Sequence, residues 1–295
     1  MSNLGKSLKD NLSDFTFMLQ SMPRPSVLLN FSKRIIHRPL EQSQLKPITQ
    51  FLSKYVVGKY GIEIGGPSRI FHPNNQLPIY PFITYLDNVN YSNVTKWSMD
   101  AKDNCLLGRR VGLFYELEAT NLSTLKDGQY DYLLCSHMIE HTANPIKALM
   151  EFKRVVKPNG LLLLIVPHKE GTFDHKRPTT TLTHMANDYN HNIGEDDQSH
   201  VPEIIALNDP PVKKLNDDIV NNYRRRCLHQ HVFSTESFLE LIDYVELAIL
   251  RVATCLPANI IVVAQNKKGS ENFRFLNGKS EWKKYSPFKL DRAKD

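Results

Sequence analysis

A glycine turn flanked by two acidic side chains has the residue types and spacing of a nucleoside-binding site. Gly65 and Gly66 close a short apolar run that contains Glu63, and Asp87 ends the next run, 22 residues after Gly65. Glycines at a turn from a strand to a helix let backbone amides approach a ligand, because no Cβ stands in the way. A carboxylate at the end of the neighbouring strand can accept hydrogen bonds from both hydroxyls of a ribose. The pattern therefore predicts a nucleoside at this turn.

The glycine spacing favours a nucleoside without a pyrophosphate over a dinucleotide. A dinucleotide fingerprint needs Gly-x-Gly-x-x-Gly, and after Gly65 the second and third glycine positions hold Pro67 and Ile70. The other interpretation is a tight turn followed by an aspartate that has no role in binding.

Histidines are concentrated in one part of the chain, where they could act as bases. Nine of the eleven histidines fall within residues 137–231. The pKa of histidine lies near neutrality, so histidine is the usual general base for a hydroxyl acceptor. His229 and His231 alternate with Gln230, so on an extended backbone both side chains face one way. The candidate catalytic residues are His141, His175, His229 and His231.

Two polar pairs in the same region have the spacing of metal ligands on a helix. His184 and Asp188 are four residues apart, and His200 and Glu203 are three apart, so each pair would share a helix face. Such pairs can bind zinc or iron. No His-Glu-x-x-His motif or cysteine set accompanies them, so a hydrogen-bonded network that shapes a substrate pocket is favoured and no metal is assigned. Residues 224–226 are three arginines, which either clamp a phosphate or carboxylate of a substrate or end a solvated helix.

Seven short apolar runs predict the strands that must position these side chains. Most are apolar almost throughout, which is typical of strands covered on both faces and therefore of a mainly parallel sheet. Only Leu256 and Pro257 separate the last two runs, so these should form an antiparallel hairpin at the sheet edge. The runs are Gly61–Gly65, Ile83–Asp87, Leu113–Ala119, Tyr130–His137, Leu161–Pro167, Val245–Cys255 and Ala258–Gln265.

Helix signals alternate with these runs. Asn144 is a good N-cap, Pro145 fits the first helical position, and Gly160 is the expected stop beyond the last turn. A second helix is predicted for Thr235–Tyr244. This alternation predicts an α/β fold with a doubly wound, seven-stranded, mostly parallel sheet of the Rossmann-like type.

Three segments lie outside that sheet. Residues 1–57 are predicted to form an N-terminal helical extension, and residues 58–265 the sheet domain. Residues 168–231 are too long for a bare loop in a compact domain, so they should form a cap insertion. Residues 266–295 are predicted to be a basic C-terminal tail, either solvated or, like the basic amino end, in peripheral contact with an acidic surface.

The composition indicates a globular protein, since 41% of the residues are hydrophobic and 23% are charged. The longest unbroken apolar run has six residues, too few for a membrane span, and the amino end is too polar for a signal peptide. The four cysteines form no close pair, which suits reduced thiols and a cytoplasmic protein. The net charge of +6 comes from the chain ends, because residues 55–265 carry 20 Lys/Arg against 24 Asp/Glu, so no nucleic-acid partner is expected.

Residues 61–167 resemble the class I S-adenosylmethionine-dependent methyltransferases, in the subgroup of quinone and other small-molecule methylases. Glu63, Gly65 and Gly66 match the family's acidic-plus-glycine motif, which cradles the amino-acid end of the cofactor. Asp87 matches the acid that binds the ribose.

Two further motifs follow in the order of the family. Glu118 and Ala119 match the acidic-alanine pair that meets the adenine edge. Residues 130–141 match the fourth-strand motif, in which the positions of Ser136 and His137 line the cofactor pocket.

The resemblance implies S-adenosyl-L-methionine as cofactor and in-line transfer of its methyl group to an oxygen or nitrogen atom of a small-molecule or glycan-type acceptor. The protein then has to align donor and acceptor and exclude water, which can lower a barrier by roughly 7–11 kcal/mol. Two alternatives stay open: a non-catalytic methyltransferase-like binding module in a biosynthetic complex, and a metal-dependent hydrolase that uses the histidine-rich insertion.

Overall fold

The structure is a computed structural model that describes residues 41–92, 105–209, 219 and 221–292. The predicted N-terminal extension is therefore seen only in its last part, where residues 41–56 form helix α1, and the remainder lies outside the described residues. One side of α1 packs against the sheet because apolar residues recur at helical spacing. These residues are Leu45, Ile48, Leu52 and Val56.

The described residues form nine strands, seven of which make one sheet. The strands are β1 (Tyr60–Ile64), β2 (Tyr85–Asn90), β3 (Cys105–Leu106), β4 (Arg109–Arg110), β5 (Phe114–Glu116), β6 (Tyr130–Ser136), β7 (Val156–Pro167), β8 (Ala248–Cys255) and β9 (Asn259–Gln265). The sheet order is β5-β2-β1-β6-β7-β9-β8, and the short strands β3 and β4 pair separately. β1, β2, β5, β6 and β7 are parallel, whereas β9 is antiparallel to β7 and β8. The predicted doubly wound, seven-stranded, mostly parallel sheet and its edge hairpin are confirmed.

Helices cover both faces of the sheet. They are α1, α2 (Pro145–Val155), α3 (Leu182–Asn190), α4 (Val201–Leu207), α5 (Asn222–Arg225), α6 (Thr235–Tyr244), α7 (Glu281–Tyr285) and α8 (Lys289–Arg292). Leu133 and Leu162 point to the face that α2 and α6 cover, and Leu134 and Leu163 point to the face that α1 covers. Consecutive strand residues alternate between faces, so two covered faces need strands that are apolar throughout.

Helix α2 begins as the sequence predicts but ends earlier. The Asn144 side chain accepts a hydrogen bond from the Lys147 backbone N (3.0 Å), and Pro145 occupies the first position. The helix ends at Val155, and β7 follows without a loop, so Gly160 is not the helix stop. Gly160 is required by close packing instead, since a Cβ there would lie 2.5 Å from Cγ1 of Val156.

The segment between β7 and α6 carries helices of its own. It leaves the sheet at His168, which bridges to Phe233 on the return, and it carries α3, α4 and α5. Among its described residues the separate apolar cluster is small, with Ile204, Ile219 and Leu228 at the centre. Polar contacts must therefore contribute much of the order in this insertion.

Residues 266–292 fold back onto the sheet domain, so the predicted solvated tail is wrong for this segment. Trp282 is only 4% exposed, and its Nε1 donates to the Phe275 carbonyl oxygen (2.8 Å). The buried Asp291 carboxylate accepts a hydrogen bond from the Thr235 hydroxyl (2.7 Å) at the start of α6. The basic side chains of this segment are surface groups, and its apolar residues supply the packing that charge counting cannot show.

A substitution at Trp282 tests this packing. Trp282→Phe removes the indole N–H and leaves the Phe275 carbonyl oxygen without that partner, so we expect the free energy of unfolding to fall by about 1–2 kcal/mol. Phe273→Leu is the matched control, because Phe273 is 66% exposed; it should change stability by less than about 0.5 kcal/mol. Urea unfolding measures both, and an unchanged midpoint for Trp282→Phe would show that the segment is not packed.

No helix in the described part of the chain is long and apolar enough to cross a membrane. In the described part of the chain Cys135, Cys227 and Cys255 form no disulfide bond.

Candidate active site

The turn after β1 is built around the carboxylate of Glu63. Glu63 is fully buried and accepts hydrogen bonds from the Ser68 backbone N (3.1 Å) and the Tyr80 hydroxyl (2.8 Å). Burial raises the pKa of Glu63 to about 7. A Cβ at Gly66 would lie 2.2 Å from Cδ of Glu63, so the turn needs glycine at this position. Glu63 therefore shapes the turn from inside, with its carboxylate enclosed by the protein.

A cleft lies at the carboxyl ends of β1, β2, β5 and β6. Its empty space, counted together with the open solvent at its mouth, is about 600 Å³. Gly65 lines it with a φ of 80°, a conformation that favours glycine. The predicted cofactor residues that line the cleft are Gly65, Glu118, Ala119 and His137. Those outside its lining are Glu63, Gly66, Asp87 and Ser136.

The prediction that Asp87 ends the second strand is wrong, and the predicted ribose-binding carboxylate lies outside the lining of the cleft. Asp87 lies in the middle of β2, is fully buried and pairs with Ile62 of β1. Its Oδ1 accepts from the Leu113 backbone N (2.7 Å), and its Oδ2 accepts from the hydroxyls of Tyr60 (2.5 Å) and Tyr130 (2.9 Å). The carboxylate is thus committed to interior donors and cannot reach a ligand in the cleft.

Asn90 occupies the position that the sequence assigns to Asp87. It is the last residue of β2 and lines the cleft. Its Nδ2 donates to the Gly66 carbonyl oxygen (2.7 Å), which ties the end of β2 to the glycine turn. Sequence reasoning missed Asn90 because the apolar run stops three residues earlier. The signal was available, since polar and apolar residues alternate through Asn88, Val89 and Asn90.

The insertion reaches the cleft through Arg226. Its Nη2 lies 2.6 Å from Oε2 of Glu118, its Nη1 pairs with Glu195, and its guanidinium lies 4.0 Å from the ring centroid of Tyr91. Burial raises the pKa of Glu195 to about 7. The sequence left two interpretations of the arginine run, a substrate clamp and a solvated helix end. Neither describes Arg226, because its guanidinium pairs with two glutamates at the wall of the cleft.

His141 and His229 lie together beside the cleft. Their ring centroids are 4.7 Å apart, and His141 lines the cleft. Nδ1 of His141 lies 2.9 Å from the Leu228 carbonyl oxygen, and Nδ1 of His229 contacts the buried carboxylate of Asp174. Burial, and then the charge of His229, lowers the pKa of His141 to about 4. His141 is therefore a neutral base at neutral pH.

The carboxylate of Glu140 lies close to two histidine side chains beside the cleft. It is 1% exposed, and neither carboxylate oxygen has a hydrogen-bond partner. Its Oε1 lies 3.5 Å from Nδ1 of His137 and 3.8 Å from Nε2 of His141. Burial acts to raise the pKa of Glu140, but contact with His137 and the charges of the nearby histidines outweigh it and lower the pKa. An ionised carboxylate thus lies within reach of the candidate base.

The other two predicted catalytic histidines are not brought to the cleft. Nε2 of His175 pairs with Asp209 at 3.3 Å in the insertion. His231 is fully buried in a separate cluster with His184 and His200. His229 and His231, which the alternation predicts to face one way, thus join two different clusters.

Residues 88–164 match the model of a family described as a methyltransferase domain. The chain carries a methyltransferase domain. The matched part runs from β2 to β7 and includes Asn90, Glu118 and His137. The family predicted from the sequence motifs is confirmed, and the predicted cofactor, S-adenosyl-L-methionine, agrees with a domain of this kind.

Solved structures similar to this methyltransferase domain include an S-adenosylmethionine-dependent methyltransferase from Aquifex aeolicus. Its TM-score is 0.44, with 14% identity over 80% of this chain and 97% of that chain. Another is 1,6-didemethyltoxoflavin-N1-methyltransferase from Burkholderia thailandensis, with 1,6-didemethyltoxoflavin and S-adenosylhomocysteine bound. Its TM-score is 0.45, with 9% identity over 76% of this chain and 78% of that chain. No curated protein matches this chain.

Proposed function

We propose that this chain is an S-adenosyl-L-methionine-dependent methyltransferase that transfers a methyl group in line to an oxygen or nitrogen atom of a small-molecule or glycan-type acceptor. The observation that supports this proposal most directly is the cleft. It joins the glycine turn, the end of β2, the Glu118–Ala119 pair and His141 at one edge of the sheet. In doubly wound sheets ligands bind at this edge, outside the carboxyl ends of the strands.

The lining of the cleft suits a nucleoside with an amino-acid arm. Gly65 presents backbone without a Cβ, which leaves room for the charged end of the cofactor. Asn90 uses its Nδ2 within the protein, so Oδ1 is the atom we assign to a ribose hydroxyl. Ala119 is small enough to lie against the adenine, and Arg226 holds Glu118 beside it.

The residues on the acceptor side suit proton removal. S-adenosylmethionine supplies a methyl group on a sulfonium, which is already a good leaving group. Because Nδ1 of His141 donates to the Leu228 carbonyl, Nε2 carries the lone pair that takes the proton of a hydroxyl acceptor. Glu140 lies 3.8 Å from that Nε2 and stabilises the imidazolium that forms. His229 positions His141 from the side.

Calorimetric titration with S-adenosylmethionine and S-adenosylhomocysteine tests the cofactor site. Wild type should bind in the micromolar range or tighter, about −8 kcal/mol. Asn90→Ala should weaken binding about 2- to 10-fold, as for one neutral hydrogen bond. Asn121→Ala, at an exposed loop position, is the matched control and should bind as wild type does.

Two results would contradict this assignment. Equal affinity in wild type and Asn90→Ala would remove Asn90 from the ribose site. Failure of wild type to bind either nucleoside would favour the non-catalytic binding module over the enzyme.

A further inference from the structure

Three histidine nitrogens that could hold a metal ion come together in the insertion, outside the lining of the cleft, and a carboxylate contacts two of them. His184 and Asp188 lie one turn apart on α3, His200 immediately precedes α4, and His231 lies on the return to the sheet. Nε2 of His184 is 3.2 Å from Nε2 of His200 and 3.3 Å from Oδ2 of Asp188. Nε2 of His231 is 3.1 Å from the same Oδ2. The sequence pairs His200 with Glu203, but Glu203 instead contacts Arg177.

We propose that His184, His200 and His231 bind a Zn²⁺ ion, with the Asp188 carboxylate as the fourth ligand. The ligand nitrogens of the three histidines lie within 4.8 Å of one another. Zn–N and Zn–O bonds of about 2.0–2.1 Å place the ligand atoms of a tetrahedral site about 3.3 Å apart. The His184–His200 separation and the contacts of Asp188 with His184 and His231, all 3.1–3.3 Å, match such edges, and Asp188 completes the site by moving closer to His200. Three neutral imidazoles and one carboxylate form a donor set that suits zinc. The proposal does not depend on the methyltransferase activity.

Hydrogen bonding at His231 independently points to a cation. Its Nδ1 lies 3.0 Å from the Thr142 carbonyl oxygen, which only accepts, so Nδ1 carries the proton. In the neutral ring Nε2 is then a lone pair, and it faces a carboxylate oxygen of Asp188 that also only accepts. A proton on Nε2 or a metal ion between the two atoms satisfies both, and the metal analysis described below distinguishes them. A carbonyl that fixes the far nitrogen of a ligating histidine is the usual second partner in metal sites.

The site suits a structural role in the insertion. With Asp188 as the fourth ligand the ion has no open position for water, which is typical of structural sites and unlike a hydrolase. The side chain of His184 is 41% exposed and gives the ion a route of entry, whereas His231 is fully buried. The ligands join three segments of an insertion whose apolar cluster is small. Zinc would therefore supply order that packing does not.

A second group of possible ligands, Glu140, His141 and His229, lies beside the cleft. His141 of this group lines the cleft, whereas none of the proposed zinc ligands does. We assign this group to the acceptor side, and the test below separates the two.

Metal analysis of the full chain, purified without an affinity tag from zinc-supplemented medium, tests the site. Wild type should contain about one equivalent of zinc. The double variant His184→Ala/His200→Ala should lose it, while His191→Ala, an exposed histidine that follows α3, and His141→Ala should retain it. Chelation should lower the melting temperature of wild type and leave that of the double variant unchanged.

Several outcomes would overturn the proposal. They are wild type with neither zinc nor a thermal response to added Zn²⁺, a double variant that keeps its zinc, or loss of zinc in His141→Ala alone. Stoichiometric iron or manganese would overturn the choice of zinc. If the double variant does not fold, the half-exposed His184→Ala replaces it, and its zinc affinity should fall at least about 10-fold.

Discussion

Replacing Asp87 by alanine is expected to lower the free energy of unfolding by about 3 kcal/mol or more, with no change in the affinity of the folded protein for S-adenosylmethionine. The carboxylate accepts three hydrogen bonds inside the protein, from Leu113, Tyr60 and Tyr130. Alanine leaves these donors without their acceptor, and each buried unpaired donor costs about 1–3 kcal/mol. Urea unfolding and calorimetric titration measure the two quantities separately.

Two matched variants sharpen the Asp87 experiment. Asp127→Ala removes an aspartate that is 82% exposed and pairs with Arg154, and it should change stability by less than about 1 kcal/mol. Asp87→Asn keeps the shape and one acceptor oxygen, so its stability should fall between wild type and Asp87→Ala. Normal stability together with weaker cofactor binding in Asp87→Ala would restore the ribose role and refute the structural one.

Replacing His141 by alanine is expected to lower the rate of methyl transfer about 10²- to 10⁴-fold, with the cofactor dissociation constant unchanged. The reason is that Nε2 of His141 is the proposed proton acceptor, and it touches the reacting group of the acceptor rather than the cofactor. Transfer of a tritiated methyl group from S-adenosylmethionine to the small-molecule and glycan fractions of a cell extract measures the rate. His175→Ala is the matched control and should keep the wild-type rate, because His175 pairs with Asp209 outside the cleft.

The pH dependence separates a base from a structural histidine. Burial lowers the pKa of His141 to about 4, so the neutral form is present at every pH well above 4. Protonation of His141 should therefore not lower the rate as the pH decreases through 6.5, the ordinary value for histidine. Any fall near pH 7 should come from Glu63 or Glu195, whose pKa values are about 7. Full activity in His141→Ala would show that another group takes the proton.

The sheet was predictable because strand and helix signals are local. The apolar runs around Leu133 and Leu162 have the period and length of strands buried on both faces, and both are central strands. The start of α2 is marked by the Asn144 side chain, which caps the helix, and by the Pro145 ring at the first helical position. Both effects act within one helical turn. Gly160 shows the limit of such reasoning, since its place after a helix reflects packing against Val156.

The site was only partly predictable because its geometry depends on distant residues. Asp87 and Asn90 are both polar residues near the end of one strand, and sequence spacing favours the wrong one. The hydroxyls of Tyr60 and Tyr130, which are far apart in the chain, donate hydrogen bonds to the Asp87 carboxylate in the interior. Asn90 is the polar side chain that lines the cleft. Arg226 likewise reaches Glu118 across 108 residues of sequence.

The amino-acid sequence alone determined the α/β sheet, the glycine turn after its first strand and the methyltransferase family, since each follows from patterns within a few turns or strands. Only the tertiary structure decided that Asn90 rather than Asp87 borders the cleft, and that His229 and His231 enter separate clusters. The spacing of apolar residues in a helix or strand indicates which of its faces is buried. Which polar groups meet on that face depends on contacts between segments that local patterns do not encode.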